Sequence, residues 1–375
     1  MWYDQPVFKG LSDELHERIR RAQAELTWLE NASAVQLLGV AADRLRVSQV
    51  VLELVSDNES ALDLGNRPHQ ELVELFDAFF PDGTTLAEDL ADEVQLCRAF
   101  GDPTVVLELI KTRVSAAVSK FPRAADDIKV GDNKGDVLDP FILAANFEIL
   151  SGQSLPQTIE STISHKILMK IEDLVGNMHE VVLGAMRGNF KVPEPGRTPG
   201  GSKDAIQPAF NPFPGADIGQ VPVPSTPDAI RLFQCKNKTG SAKGGDGARL
   251  GQQLRRLGET YGAETFYAAI VGNTLVGHRS KGAVLRESPK TAVLVGEAAL
   301  AELTRSDSGA ELLLRTYRRA FRAVGQEASY DFQATVAATV SAFEAMADDG
   351  CGDLVDAWLH QAMGGDRSAQ DSREG

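Results

Sequence analysis

The chain has 375 residues, 53 Asp and Glu against 38 Lys and Arg, a net charge of −15 and three cysteines (Cys97, Cys235 and Cys351). That length supports two or three units with a large core, and three scattered cysteines give neither a disulfide framework nor metal-ligand spacing, which points to a reducing cytoplasm. The N-terminus lacks the charged-then-apolar order of a signal peptide and no apolar run approaches a membrane span, so a soluble cytoplasmic protein with no membrane partner is expected.

In chain order, Leu11, Leu15, Ile19, Leu26 and Leu29 recur at helical spacing over 11–30. Further helical runs follow at 33–55, 69–79, 85–99 and 103–120, which makes 1–130 a helical N-terminal domain. His16 and His69 read as surface histidines. The Asp, Lys and Gly-rich stretch 121–139 reads as an exposed connection. A long helix over 155–186 places Ile163, Ile167, Ile171, Leu174 and Met178 on one face. Residues 190–214 are dense in Pro and Gly and read as a loop; Ser202 stands where a Walker A lysine would be, which excludes a nucleotide triphosphate site of that kind.

The next segments carry the chemistry. Ala216–Val223 and Ala229–Lys236 are short apolar runs joined by Pro224-Ser-Thr-Pro-Asp228, which predicts a β-hairpin. Asp217 begins its first strand. Gln234 and Lys236, two residues apart, share a face near the end of the second. A carboxylate, an amide oxygen and the Cys235 backbone carbonyl suit a hard divalent cation such as Mg²⁺, and a lysine beside it would assist an attacking water or neutralise charge on a pentavalent phosphorus. The chemistry implied is metal-assisted phosphodiester hydrolysis. Asp228 is the rival acid, but six residues before Gln234 it is too close for a hairpin return.

This pattern, Asp217, sixteen residues, then Gln234-Cys-Lys236, resembles the PD-(D/E)XK nuclease superfamily in its Asp…Gln-X-Lys variant. Phe233-Gln-Cys-Lys236 is similar to the motif strand of Mrr-like and other restriction endonucleases. The resemblance implies an α/β fold with a restriction-endonuclease-like mixed core sheet flanked by helices, with Asp217 as the metal-binding carboxylate, Gln234 in place of the second acid and Lys236 as the catalytic lysine. It departs from the family in having Ala216 before the acid and an uncharged Gln234. In such enzymes a helix before the sheet often brings an acid towards the metal, which makes Glu172 and Glu180 candidates. It further implies a Mg²⁺-dependent endonuclease acting on double-stranded DNA as a homodimer, of the type II restriction kind; a modification-dependent Mrr-like nuclease, or an inert DNA-binding or defence-complex subunit that kept the fold, are the alternatives.

Beyond the hairpin, residues 231–330 carry 16 Lys and Arg against 9 Asp and Glu, reversing the sign of the whole chain. A glycine-rich loop at 239–247 runs into a helix over 248–261, an arrangement able to hold a DNA phosphate. Lys238, Lys243, Arg249, Arg255, Arg256, Arg279 and Lys281 are the DNA-binding candidates. Residues 266–271 and 291–295 read as central strands, with 275–285 as a further strand pair. These elements define a catalytic domain over 138–330. Arg315, Arg318, Arg319 and Arg322 fall at one-turn spacing, as a phosphate-facing stripe or, more simply, a solvated face. A helical segment over 331–363 and a small, polar tail over 364–375 complete the chain.

Overall fold

A computed structural model describes residues 8, 11–80, 85–121, 140–193, 213–224, 229–238, 246–272, 281–327 and 330–346. The chain divides into two compact units, one built from residues 1–110 and 176–320, the other from 111–175 and 321–375. The units therefore interleave along the sequence instead of following one another.

The first unit opens on α1 (Asp13–Asn31), started by Ser12, whose hydroxyl accepts the Leu15 amide at 3.3 Å, with Asp13 and Glu14 favourably placed in the first turn. Next come α2 (Ala34–Leu45), α3 (Ala61–Gly65), α4 (His69–Asp77) and α5 (Leu86–Ala99). Ser33 and Gln36 form a reciprocal capping box on α2. Leu37, Leu38, Leu64, Leu72, Phe76, Leu90 and Val94 make the core of this helical layer. The helix α6 (Pro103–Val118) begins in this unit and continues beyond it.

His69 overturns its reading as a surface residue. It is 4 % exposed, and its Nε2 lies 2.9 Å from Asp92 Oδ1 on α5. A single-sequence pattern could not show this partner, because the contact joins two helices.

In the second unit α7 (Pro140–Ala145) and a π-turn over Asn146–Leu150 lead into α8 (Leu155–Leu183), whose residues to Val175 belong here. The Asn146 amide holds that turn, donating to Thr158 O at 3.2 Å and Thr162 Oγ1 at 3.1 Å. Leu143, Ile159 and Ile163 pack with Val336 and Phe343 of α13 (Phe332–Met346).

The remainder of the first unit is a five-stranded mixed sheet, β1 (Asn189–Lys191), β2 (Ile218–Gln220), β3 (Arg231–Lys238), β4 (Glu264–Val271) and β5 (Ala292–Val295), in that spatial order. β1, β2 and β3 are mutually antiparallel, with Phe190 opposite Gly219 and Ile218 opposite Phe233. β3, β4 and β5 run parallel, with Gln234 beside Tyr267 and Ala268 beside Leu294. Parallel strands need a crossover, and the crossover from β3 to β4 is α9 (Asp246–Tyr261). Between β4 and β5 comes α10 (Lys281–Glu287), and after β5 come α11 (Glu297–Thr304) and α12 (Gly309–Glu327).

Leu15, Ile19, Ala22 and Leu26 of α1 and Leu250, Leu254 and Leu257 of α9 pack in one core cluster with Phe190, Leu232 and Tyr267 of the sheet. At about 25 cal/mol per Å² of apolar area removed from water, such a cluster is the main force holding the hairpin in place. Gly219 is required by this packing: a Cβ there would sit 2.2 Å from the Phe190 ring.

The strand pair expected over 275–285 is corrected: residues 281–287 are the helix α10, and the rest of that stretch lies outside the described residues. Its Val284 is buried against Gly251, whose added Cβ would meet the Val284 backbone at 2.8 Å. Residues 190–214 likewise are not all loop, since Phe190 and Lys191 belong to β1. Three strand residues flanked by glycine and proline give too short an alternation to register.

Candidate functional site

The hairpin brings Asp217, Gln234 and Cys235 into contact. Asp217 stands one residue before β2, where its amide donates to Phe233 O at 2.8 Å and its carbonyl accepts the Val192 amide at 2.9 Å, so the backbone is fixed on both sides. Its carboxylate Oδ2 accepts two bonds, from the Cys235 amide at 2.8 Å and from Gln234 Nε2 at 2.5 Å. Among the described residues no hydrogen bond reaches Oδ1. Gln234 is 5 % exposed, and a buried amide of this kind needs its donors satisfied; Asp217 and the Cys235 carbonyl at 3.4 Å satisfy them.

Burial pushes the Asp217 carboxyl up to about 7, from an ordinary 3.8; the neighbouring Glu180 adds to the rise, while the Cys235 amide and the Lys236 and Lys191 ammonium groups oppose it. Lys236 therefore acts on this carboxylate electrostatically. Glu180, from the part of α8 belonging to this unit, is itself held by Lys191 Nζ at 3.5 Å. The neighbouring His179 is buried, bonded through Nδ1 to Tyr317 Oη at 2.9 Å, and lowered to about 4 by desolvation, so it is neutral at pH 7. The Cys235 thiol is buried and its pKa is raised well above the ordinary value, mainly by desolvation, so it packs as a small inert group.

Lys191 was missed by sequence reasoning. It occupies a stretch whose composition reads as loop, and only the pairing of Phe190 and Lys191 with Gly219 and Ile218 brings it beside the hairpin. Of the two helix acids, Glu180 lies within electrostatic reach of Asp217. Glu172 belongs to the second unit and is exposed.

Of the DNA-binding candidates, Arg249, Arg255 and Arg256 are exposed on α9, opposite its buried leucines. Arg255 Nε lies 3.8 Å from Glu259, an exposed pair worth little to stability. Lys281 is half-buried at the start of α10. Lys243 and Arg279, like the rival acid Asp228 and most of the glycine-rich loop, lie outside the described residues, as does the Lys238 side chain.

The basic excess after residue 231 is partly consumed inside the protein. Arg231 Nη2 pairs with Glu302, Arg231 Nη1 bonds Gln220 Oε1 at 3.0 Å, and the Arg231 guanidinium lies 4.6 Å from the Phe266 ring centre. Arg315 and Arg319, expected on a phosphate-facing or solvated stripe, instead meet carboxylates of α5: Arg315 Nη1 lies 3.6 Å from Asp92 Oδ1 and Arg319 Nη1 lies 3.0 Å from Glu93 Oε2. Glu93 is 1 % exposed and also takes Arg44, so these pairs compensate a buried charge that would be costly alone.

Among the described residues no three His, Cys, Asp or Glu side chains are grouped to hold a metal ion, and no helix is long and apolar enough to cross a membrane. The chain matches no protein-family model and no curated protein.

Proposed function

We propose that the chain is a Mg²⁺-dependent DNA endonuclease of the type II restriction kind, with a restriction-endonuclease-like core in the first unit. The observation that carries this reading is the hydrogen-bonded meeting of Asp217 with Gln234 and Cys235, beside Lys236, at the junction of antiparallel and parallel strands. The order helix, hairpin, helix, parallel strand supports it. Oxygen donors are the right chemistry for Mg²⁺: Asp217 Oδ1 accepts no hydrogen bond from the described residues, and the Gln234 amide offers Oε1 when turned over. Asp217, Gln234 and the Cys235 carbonyl would hold the ion, which when bound supplies electrophilic stabilisation of a phosphodiester.

The chain's own groups do the rest. Asp217, with its carboxyl at about 7, must lose its proton before it can serve as a ligand, so metal affinity rises with pH across neutrality. Lys236 orients water or neutralises charge building on phosphorus. Arg249, Arg255 and Arg256 contact the DNA backbone, and their contribution weakens steeply with salt. Two active sites on a palindrome call for a two-fold homodimer.

The test is incubation of supercoiled plasmid with the full chain in Mg²⁺ and in EDTA. Cleavage with Mg²⁺, abolished in Asp217→Ala and Lys236→Ala while both remain folded and bind DNA, supports the reading. Gln234→Glu should keep or raise cleavage. Wild-type protein that binds DNA and never cuts would instead favour the inert-subunit reading, which the Gln234 amide donating to Asp217 favours structurally, since that bond leaves Asp217 stably occupied without a metal.

A further inference from the structure

Away from the hairpin, a cavity of about 240 Å³ in the first unit is lined by Leu26, Leu29 and Leu62 and by three arginines, Arg98, Arg187 and Arg305. Val223 also borders it, placing it past the far end of β2 from Asp217; the four residues from Asp217 to Val221 span about 13 Å at ~3.3 Å each.

Each arginine is held in place by neutral oxygens. Arg98, at the end of α5, is 3 % exposed and donates to Thr304 O at 2.7 Å and to Arg305 O. Arg187, in the turn before β1, stacks 4.3 Å from the Trp28 ring centre and donates to Cys97 O at 3.1 Å and Glu25 O at 3.4 Å. Arg305 caps α11 in the left-handed region (φ 55°) and donates to Val221 O at 2.6 Å.

The carbonyl ends of α5 and α11 make the cluster tolerable, because helix C-termini carry partial negative charge. They do not complete it. No carboxylate lies within ion-pair distance of any of the three among the described residues, and the Nε atoms of Arg98 and Arg305 are buried with no acceptor. Glu30 borders the cavity and Glu30 and Glu302 ease the charge on Arg305, as Glu25 does for Arg187. Desolvation, with repulsion from Arg305 and Arg187 on Arg98 and from Arg231 on Arg305, nevertheless holds Arg98 and Arg305 down to about 10, below the ordinary 12.5. Asn66 also lines the cavity, and its Oδ1 is buried without a donor.

Three cations lining one cavity together with leucine side chains are complementary to an oxyanion bearing a compact apolar group. We propose that this cavity is a binding site for a phosphate monoester or free phosphate, separate from the hairpin and independent of whether the protein cuts DNA.

Trp28 provides a local reporter, since an anion drawing Arg187 from its ring changes the indole environment. The full chain is titrated with inorganic phosphate, adenosine monophosphate and adenosine, at ionic strength fixed with chloride, following tryptophan emission and thermal unfolding. Phosphate should give a saturable emission change and a rise in melting temperature that chloride and adenosine do not. Tighter binding of the monophosphate than of phosphate identifies a nucleotide-like ligand using the leucine wall; equal binding identifies free phosphate. Arg187→Gln and Arg305→Asn, the latter chosen because Asn tolerates the left-handed backbone, should each weaken phosphate binding by about tenfold or more. Leu62→Glu, at a half-buried wall position, puts a competing carboxylate in the cavity and should abolish the response even if an arginine variant fails to fold. A wild-type response no greater than that to chloride, or folded variants that respond as wild type, overturns the proposal and leaves the arginines as staples of helix ends.

Discussion

Asp217→Asn removes a charge while keeping the shape of the side chain, and its effect on stability is fixed in sign by the direction of the Asp217 shift. The folded protein holds the Asp217 proton up to about 7, whereas the unfolded chain releases it near 3.8. The carboxyl is therefore raised on folding, and its favourable contribution is complete below 3.8 and lost as pH rises through 7. At about 1.4 kcal/mol per pKa unit the wild type forfeits at most about 4 kcal/mol across that window. Solvent access to the partly exposed side chain reduces this to about 2 kcal/mol. The variant should match wild type at pH 4 and exceed it by about 2 kcal/mol at pH 8. Urea unfolding across this range, read as the difference between the two proteins, cancels every other titration. A difference that does not change with pH would show that Asp217 ionises as an ordinary carboxylate, and the argument that it must lose a proton near neutrality before binding a cation would fall. Mg²⁺ added at pH 8 should stabilise the wild type and not the variant.

His179 has the opposite sign: its folded pKa of about 4 lies below the ordinary 6.5, so stability is lost as pH falls through that window, by at most about 3 kcal/mol; His179→Gln should flatten the curve between pH 6.5 and 4 in the same assay. Gly219→Ala places a methyl 2.2 Å from the Phe190 ring and should cost about 2–3 kcal/mol in denaturant unfolding, with Phe190→Leu in the same chain recovering part of the loss. Arg231→Met removes the Glu302 pair and the guanidinium over Phe266 and should cost about 1–2 kcal/mol, less at high salt, because the ionic share is screened.

How much of this was readable beforehand follows from the range of the interaction concerned. The 3.6-residue recurrence of Leu15, Ile19, Leu26 and Leu29 and the apolar runs of β3, β4 and β5 are local signals, and the helix and strands appear where those signals place them. The hairpin was legible because its strands and turn lie within one short segment. By contrast β1 is three residues long and takes its meaning from Gly219, about thirty positions on. The same limit hid the environments of charged residues. Arg315 and Arg319 look like a helical surface stripe until α5 supplies Asp92 and Glu93, more than two hundred residues earlier. Arg98, Arg187 and Arg305 have no common pattern at all; three separate turns of chain bring them to one cavity.

The balance of charge around the hairpin bears on why residue 234 is a glutamine. Asp217 is already pushed up by burial and by Glu180, and Lys236 and Lys191 only partly offset this. A glutamate at 234 would set a second carboxylate against Asp217 at the position where the Gln234 amide now donates at 2.5 Å, exchanging an attractive contact for repulsion between buried like charges. Without a cation such a hairpin would hold protons or open. With glutamine, the two strands are joined by a bond from Gln234 to Asp217 in addition to their backbone ladder, and the site can fold before any ion arrives. For the proposed Mg²⁺ site the corresponding loss would be in ion affinity, since an amide oxygen is neutral where a glutamate would be anionic, so occupancy would depend more on the ionisation of Asp217 alone. Burial and Glu180 make the Asp217 carboxylate pH-dependent while Gln234 leaves it paired without adding a second charge, and the glutamine bond falls on one atom of that carboxylate, Asp217 Oδ2, one residue before β2.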